Sequence, residues 1–535
     1  MGERVSLFSL FIMNKDMPAI VPAPREVDVR EGVFHLTSKA SISGAGSDAA
    51  EHLAGLLADY LRPATGFALP VVNDGDADVV LRQTGSSEAD AAGFVEEEYE
   101  LEVCEEGVEL KSRTSAGLAR GIQTLRQLFP TEIYADTCQG ACDWKIPCLR
   151  VADAPRFRWR GLHLDVGRHF FSVQDVCRYI DLLALHRFNM FHWHLTEDQG
   201  WRIEIERFPR LTEVGSVRPY TLVGHNSERP RTYDDTAYGG FYTQNEIRQI
   251  VDYAAARGVT IVPEIDMPGH MQAAVAAYPE LGNTDMTLQP RCHWGISQHI
   301  LNPRQSTVEF MQGVLEEVLE LFPGRFIHIG GDEAVKVEWS DSRQAQDRMR
   351  ELGLSSEAEM QSWFIRQMDD FLTQNGRRLI GWDEILEGGL APGAAVMSWR
   401  GEEGGIEAAR AGHDVVMAPN ASTYFDHYQA EPKENEPLAI GGLTTVEDVY
   451  SYEPVPEELT DEEADHVLGS QGQLWTEYIP DMKKLEYMAY PRACALAEVT
   501  WSESGKRDLD DFECRLRHHR KRLDVLGVNA HSAGS

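Results

Sequence analysis

The chain has 535 residues, 42% of them apolar and 25% charged, which is the composition of a soluble globular protein with room for two domains. Its formal net charge of −36 predicts that it binds neither nucleic acid nor an anionic membrane, because both would repel it. Residues 6–13 are apolar but too short for a membrane span or a convincing signal peptide, and no other stretch is long enough to cross a membrane. The compartment, cytoplasmic or exported, and the oligomeric state stay open.

Residues 17–150 are predicted to form a small α+β domain. Its predicted elements are strands at 79–82, 99–103 and 108–112 and a helix at 115–129 that ends at Pro130. This unit holds no compact set of catalytic residue types, so we expect it to be an accessory, supporting domain that ends near residues 153–155.

Short apolar strands alternate with amphipathic helices over residues 155–505. Eight strands are predicted, at 161–166, 189–195, 260–265, 326–329, 378–382, 394–399, 414–418 and 468–475. Eight strand–helix units predict a closed (β/α)8 TIM barrel, an α/β fold. An open doubly wound sheet is the alternative, although no Gly-x-Gly-x-x-Gly turn follows a strand. The remaining residues, 506–535, are predicted to form a charged helical segment outside the barrel.

The fourth predicted strand leads into the most informative stretch, Phe-Ile-His-Ile-Gly-Gly-Asp-Glu-Ala at 326–334. Two glycines allow a sharp turn, after which Asp332 and Glu333 stand at the C-terminal end of the strand, where TIM barrels carry their chemistry. A pair of carboxylates there suits general acid–base catalysis. The alternative is that Asp332 caps the next helix and Glu333 lies in its first turn.

Tryptophans and acids stand at the other strand ends. Trp382, Trp399 and Trp475 follow the fifth, sixth and eighth predicted strands. Their flat faces suit sugar rings, whose hydroxyls suit carboxylate and arginine partners, so a carbohydrate site is predicted. No cofactor and no metal is expected. The cluster Cys138, Cys142 and Cys148 has no obvious fourth zinc ligand nearby, and free thiols are favoured over a disulfide.

Six motifs, in this order along residues 158–501, resemble those of the family 20 glycoside hydrolases, the β-N-acetylhexosaminidases. They lie at 161–170, 192–202, 263–270, 328–333, 381–384 and 473–477. The first unit resembles the small domain that often precedes this barrel. The resemblance implies an exo-acting enzyme that removes terminal β-linked GlcNAc or GalNAc with retention, the substrate's own acetamido oxygen attacking to give an oxazolinium. The implied partner is a carbohydrate.

The resemblance also implies residue roles. Glu333 would be the general acid/base, Asp332 would hold the acetamido N–H, and Tyr424 would donate to the acetamido oxygen. The three tryptophans at 382, 399 and 475 would surround the acetyl methyl. Hydroxyls of the terminal sugar would be bound by Arg168, Asp426 and Glu477. His270 would pair with Glu197. Glu197 departs from the family, in which Asp is frequent. Asp383 and Glu384 are interpreted as loop or helix-start acids.

Two other functions remain open at this stage. A metal-dependent hydrolase is suggested by His192 and His194, whose spacing places both on one face of a strand. A non-catalytic glycan-binding protein would keep the aromatic walls and lack the acid. The sequence does not decide between GlcNAc and GalNAc, nor does it give the linkage or the natural polymer.

Overall fold

A computed structural model describes residues 17–73, 76–90 and 93–532. The apolar stretch 6–13 lies outside these residues. No helix within the described ranges combines the length and apolar character that crossing a membrane requires. All eight cysteines lie within those ranges and are free thiols.

The first unit is a seven-stranded mixed sheet with helices packed on it. Its strands are Glu26–His35, Ile42–Ala45, Val71–Val72, Val79–Gln83, Tyr99–Cys104, Gly107–Ser112 and Lys145–Asp153. Its helices are Asp48–Thr65 and Ser115–Leu128, followed by the 3-10 turn Thr131–Tyr134. The three predicted strands and the predicted helix are present with ends shifted by one residue at most. Four further strands and the first helix were missing from the prediction.

The second unit is a closed barrel of eight parallel strands, which confirms the predicted fold class. The strands are Trp159–Asp165, Met190–His194, Thr260–Glu264, Phe326–His328, Arg378–Trp382, Ala395–Ser398, Val415–Met417 and Val467–Gly472. We number them one to eight in this order. Strand eight pairs in parallel with strand one, so the barrel has no open edge, and the doubly wound alternative is wrong.

Helices surround the barrel. The longer ones are Val173–Leu185, Gln244–Ala255, Gln305–Leu321, Arg343–Glu351, Glu357–Gln374, Glu403–Arg410, Met482–Ala489 and Arg492–Trp501. Shorter helices are Arg210–Glu213, Gln272–Ala277, Val337–Asp341, Asn420–Thr423, Val446–Ser451 and Asp461–Ala464, with 3-10 turns at Pro279–Leu281, Asp383–Leu386, Lys433–Asn435 and Ser504–Lys506. The long connection after strand two carries three two-residue strand pairs, Thr196–Glu197 with Gly200–Trp201, Val217–Arg218 with Tyr238–Gly239, and Leu222–Val223 with Thr232–Tyr233.

The last helix, Leu509–Val525, joins the two units from outside the barrel. Its charged sequence nevertheless buries one face that includes Phe512, Leu516 and Leu523. On that face Arg522 Nη2 donates to the carbonyl of Gln127 in the first unit (2.7 Å). The helix is therefore anchored by apolar packing and by hydrogen bonds to neighbouring backbone.

Asp153, at the end of the first unit, is a buried junction between the two units. Its Oδ2 accepts from Arg187 Nη1 (2.9 Å) and from the hydroxyl of Tyr99 (2.6 Å). Its Oδ1 accepts from the indole of Trp501 (2.9 Å), which belongs to the barrel's last helix. Since Asp153 and Arg187 are fully buried, each needs the other's charge.

Replacing Asp153 with Ala should therefore lower the free energy of unfolding by about 3–5 kcal/mol, because it leaves the Arg187 guanidinium buried without a counter-charge. Urea denaturation followed by tryptophan fluorescence measures the loss. Asp28→Ala is the control, since the Asp28–Arg30 pair is exposed and should change stability by less than about 1 kcal/mol. Equal, small effects of both substitutions would contradict the account.

Candidate active site

The turn after strand four is held in shape by Asp266. Gly330 and Gly331 have φ of 65° and 96°, and a side chain at position 330 would place its Cβ 1.7 Å from Asp266 Oδ1. The same oxygen accepts from the amide of Gly331 (3.1 Å). Glycine is therefore required at 330 both by the left-handed backbone and by the close approach of a carboxylate.

This turn directs Asp332 and Glu333 into a cavity and not onto a helix. Both residues lie in a loop, and the next helix begins only at Val337, with Lys336 as its N-terminal neighbour. The interpretation as a helix cap is therefore wrong. Glu333 itself has φ of 48°, a conformation unusual for a residue with a Cβ, which is typical of functional positions.

The cavity lies at the C-terminal ends of the barrel strands and has a volume of about 310 Å³. Every residue that the sequence analysis selected lines it: Arg168, Glu197, His270, Asp332, Glu333, Trp382, Trp399, Tyr424, Asp426, Trp475 and Glu477. The lining also includes residues that were not selected as site residues: His194, Asp266, Asn420, His427, Ile440, Gly441 and Gly442. The structure thus brings together side chains from all eight strand ends.

Aromatic rings form one wall of the cavity. The rings of Trp382 and Trp475 lie 5.8 Å apart at 47°, and those of Trp399 and Tyr424 lie 6.1 Å apart at 24°. The indole N–H of Trp382 donates to Glu264 Oε1 at 2.9 Å. Since this hydrogen bond is buried, it fixes the ring that faces the Asp332–Glu333 corner.

Glu384 fixes a second indole, a role that the sequence analysis missed. It lies in the first turn of the 3-10 helix Asp383–Leu386, as expected for a helix-start acid, but its Oε2 also accepts from the indole N–H of Trp399 at 2.9 Å. Burial, the nearby charge of Asp332 and the adjacent Asp383 raise the pKa of Glu384 to about 9. At neutral pH it is therefore a neutral carboxylic acid.

Glu384→Gln should consequently raise the thermal stability relative to the native chain at pH 8 and leave it nearly unchanged at pH 4.5. The Glu384 pKa rises from 4.5 to about 9 on folding, so the folded state holds an extra proton between these values. Stability therefore falls as pH rises through that window, and glutamine removes this dependence. Melting temperatures across pH 4.5–9 provide the measurement. A difference between the two proteins that does not vary with pH would contradict the assigned protonation state.

A line of alternating charges runs from the barrel interior to the acid pair. Glu264 Oε2 lies 2.6 Å from His194 Nδ1, and His194 Nε2 lies 3.1 Å from Glu197 Oε2. Glu197 Oε1 lies 2.8 Å from His270 Nδ1. Although burial opposes a charged imidazole, Glu264 and Glu197 together hold the pKa of His194 well above its usual range.

The line ends at the two catalytic candidates. His270 Nε2 lies 3.5 Å from Asp332 Oδ2 and 3.4 Å from Glu333 Oε2. Burial opposes ionisation of His270, but Glu197 and Asp332 raise its pKa well above the usual value. Arg168 Nη2 also binds Glu197, at 3.0 Å. Glu197 therefore connects Arg168 with the imidazolium that touches the acid pair.

The histidines considered as metal ligands face inward. His192 and His194 share one strand face, as their spacing predicted, and both contact Glu264, His192 through Nε2 at 2.9 Å. His192 is fully buried and is absent from the lining of the cavity. The pair therefore does not present two imidazoles together to a ligand in that cavity.

Several buried polar atoms in the cavity have no hydrogen-bond partner among the described residues: Arg168 Nε, Asp332 Oδ1, Asp426 Oδ1 and Glu477 Oε2. Burial and the proximity of Glu477 raise the pKa of Asp426 well above its usual range. Unpaired donors and acceptors in a buried site indicate a ligand with many polar groups, because a buried polar atom without a hydrogen bond lowers the stability of the folded protein.

Comparison with known families agrees with this geometry. The family model described as "Glycosyl hydrolase family 20, catalytic domain" matches residues 157–504. The chain belongs to glycosyl hydrolase family 20. A second family model, "Glycosyl hydrolase family 20, domain 2", matches residues 17–154, so both units of the fold have counterparts in family 20. The chain is therefore a glycoside hydrolase.

Relatives within family 20 align over most of this chain. A β-hexosaminidase of Porphyromonas gingivalis is 43% identical over 96% of the chain, which spans 64% of that relative's length. A β-N-acetylhexosaminidase of Cellulomonas fimi is 32% identical, with 96% of each chain covered. The solved structure of Streptomyces plicatus N-acetyl-β-hexosaminidase in complex with thio-NAglucal aligns with a TM-score of 0.83 at 33% identity, covering 96% of each chain.

Proposed function

We propose that this family 20 protein is an exo-acting β-N-acetylhexosaminidase that removes a terminal β-linked GlcNAc or GalNAc from a glycan with retention of configuration. The observation that carries the proposal is one small cavity in which the Asp332–Glu333 corner faces the indoles of Trp382, Trp399 and Trp475. Two relatives that match along the chain carry the names β-hexosaminidase and β-N-acetylhexosaminidase, which supports the same activity.

Glu333 is assigned the proton transfers. Its side chain is 30% exposed, whereas that of Asp332 is 11% exposed, so Glu333 stands nearer the mouth, where the leaving group must pass. There it would protonate the glycosidic oxygen and later take a proton from the attacking water. The His270 imidazolium, which contacts both carboxylates, would keep them oriented through these steps.

The nucleophile is assigned to the substrate's own acetamido oxygen. A retaining enzyme that uses its own carboxylate needs one about 5 Å from the acid across the scissile bond. Asp332 adjoins Glu333 on the same turn and points deeper, so it suits the acetamido N–H, whose positive charge grows as the oxazolinium forms. Tyr424, which lines the same cavity with its ring stacked near that of Trp399, would donate its hydroxyl to the acetamido oxygen.

The remaining lining residues then take the rest of the terminal sugar. Trp382, Trp399 and Trp475 would enclose the acetyl methyl, and a sugar without that group would lose this contact. Arg168, Asp426 and Glu477, with their unpartnered atoms, would bind ring hydroxyls. We also propose the division into an accessory domain at 17–150, the catalytic barrel at 155–505 and a helical segment at 506–535.

Chromogenic glycosides test this function directly. The protein should release p-nitrophenol from the β-N-acetylglucosaminide or the β-N-acetylgalactosaminide, with the β-anomer of the sugar formed first in proton NMR. The β-glucoside, which lacks the acetamido group, should be hydrolysed at least about 10³-fold more slowly, because it removes the nucleophile. Comparable rates on both would contradict the proposal. Binding without turnover would favour a glycan-binding protein, and loss of activity with a chelator would favour a metal-dependent hydrolase.

A further inference from the structure

A second pocket, of about 620 Å³, opens beside the catalytic cavity. Val335, two residues beyond Glu333, lines it, together with Tyr220, Tyr233, Arg291 and His293. The amide of Arg291 donates to the carbonyl of Asp198 at 2.8 Å, which ties this loop to the end of strand two. The pocket therefore lies near Glu333, the residue proposed to protonate the leaving group.

Arg291 lines this pocket, and Arg231 lies outside the lining but close enough for the two guanidinium charges to interact. Arg291 Nε and Arg231 Nε are shielded from solvent and have no hydrogen-bond acceptor among the described residues. Neither guanidinium has a carboxylate within ion-pair distance in the described part of the chain, although the protein has 86 acidic residues against 50 lysines and arginines. Half-buried, unpaired arginines in so acidic a chain are an arrangement that an oxyanion ligand would satisfy.

Arg291 supplies the fixed positive charge of the pocket lining. The lining of the pocket contains no Asp or Glu, although one of its two histidines, His299, pairs with Glu338 at 2.7 Å from behind. Burial and the charges of Arg291, Arg231 and Arg229 lower the pKa of His293 to about 4, so three guanidinium groups act on one imidazole. These positive charges favour an anion in the pocket, although the carboxylates of Asp198 and Glu197 offset part of the charge of Arg291.

Two tyrosines beside the arginine provide apolar faces on which a sugar ring could pack. The rings of Tyr220 and Tyr233 lie 5.2 Å apart at 71°, and Tyr220 is 36% exposed. An exposed tyrosine face can carry a sugar ring, while the arginine beside it would take a charged substituent of that ring.

We propose that this pocket binds a carboxylate or sulfate group on the sugar that follows the cleaved bond. The inference rests on the proposed hydrolase function and names its substrate class: glycans in which a terminal N-acetylhexosamine is attached to an acidic sugar. Arg291 binds the oxyanion, the nearby charge of Arg231 strengthens the attraction, and Tyr220 packs against the ring that carries the oxyanion. These residues bind the sugar that leaves when the bond is cleaved, and they take no part in proton transfer.

Three matched disaccharides test the inference, each with β-linked GlcNAc on glucose, on glucuronate or on glucose 6-sulfate. The native protein should have a kcat/KM about tenfold or more higher for at least one acidic disaccharide than for the neutral one. Arg291→Gln and Arg231→Gln should remove that preference while retaining cleavage of the neutral disaccharide. The preferred acidic substrate then tells whether carboxylate or sulfate is the better ligand.

For each variant, the kcat/KM for an acidic disaccharide is divided by the kcat/KM for the neutral one. A general loss of activity lowers both values and leaves this ratio unchanged. Arg291→Lys should retain part of the preference, and Arg30→Gln, on the exposed edge strand of the first unit, should retain all of it. Should a glutamine variant fail to fold, competition in the native protein by free glucuronate against free glucose, at fixed ionic strength, replaces it. Equal kcat/KM for acidic and neutral disaccharides, or a preference unchanged by both glutamine substitutions, would overturn the inference. Failure to cleave any of the three would instead count against the proposed function.

Discussion

Glu333→Gln is expected to lower kcat on a p-nitrophenyl β-N-acetylglucosaminide by about 10²- to 10⁴-fold, with KM changed far less. Glutamine keeps the size of the side chain and removes the transferable proton. The loss should depend on the leaving group, because a good one, such as 2,4-dinitrophenolate, departs with little protonation. The kcat of the variant should therefore be close to the native value on the dinitrophenyl glycoside. On a disaccharide, the kcat of the variant should be reduced the most.

A steady-state series over leaving groups of different acidity measures this dependence. Glu387→Gln is the matched control, since Glu387 pairs with Arg400 at 3.0 Å and does not line the cavity. An equal loss on every leaving group would show that Glu333 acts on structure or binding, and the assignment of the proton donor would fail.

Asp332→Asn is expected to lower kcat by about 10²- to 10³-fold, the usual cost of removing one preorganised electrostatic contact from a transition state. The carboxylate sits deeper than Glu333 and is placed to stabilise positive charge at the acetamido nitrogen. A stable thiazoline mimic of the oxazolinium should therefore lose more affinity than the product GlcNAc, which carries no such charge.

Inhibition constants for the thiazoline and for GlcNAc, measured on both proteins, give the comparison. Asp341→Asn, at the exposed end of the helix Val337–Asp341, is the control for loss of one nearby negative charge. Parallel losses of affinity for the two ligands would contradict the role of Asp332, because they would indicate uniform binding of ground state and intermediate.

The barrel was predictable because its strands are short, buried on both faces, rich in apolar residues and regularly separated by helices. The strands of the first unit were harder to predict. Glu26–His35, with sequence EVDVREGVFH, is an edge strand that is mostly exposed, and its alternation is interrupted at the register shift between Val29 and Val33. Lys145–Asp153 contains Pro147, which argues against a strand when only the sequence is read.

The members of the site were predictable for a geometric reason. A closed barrel gathers the C-terminal ends of all its strands, so residues far apart in sequence meet in one cavity. Individual contacts between the strand ends were not predictable, since they depend on distances of a few ångströms. Glu384 on Trp399, Glu264 under Trp382 and Asp266 under the glycine turn are of this kind. The charges of Arg231 and Arg291 act on each other only because two long loops fold together.

The identity of the nucleophile is tested most directly by fluorinating the substrate's N-acyl group. p-Nitrophenyl glycosides bearing acetyl, fluoroacetyl, difluoroacetyl and trifluoroacetyl groups differ in the basicity of one oxygen and little in size. If that oxygen attacks the anomeric carbon, kcat/KM should fall steeply with each added fluorine. A flat series, together with a sugar trapped covalently on a protein carboxylate in the intact mass, would contradict attack by the acetamido group.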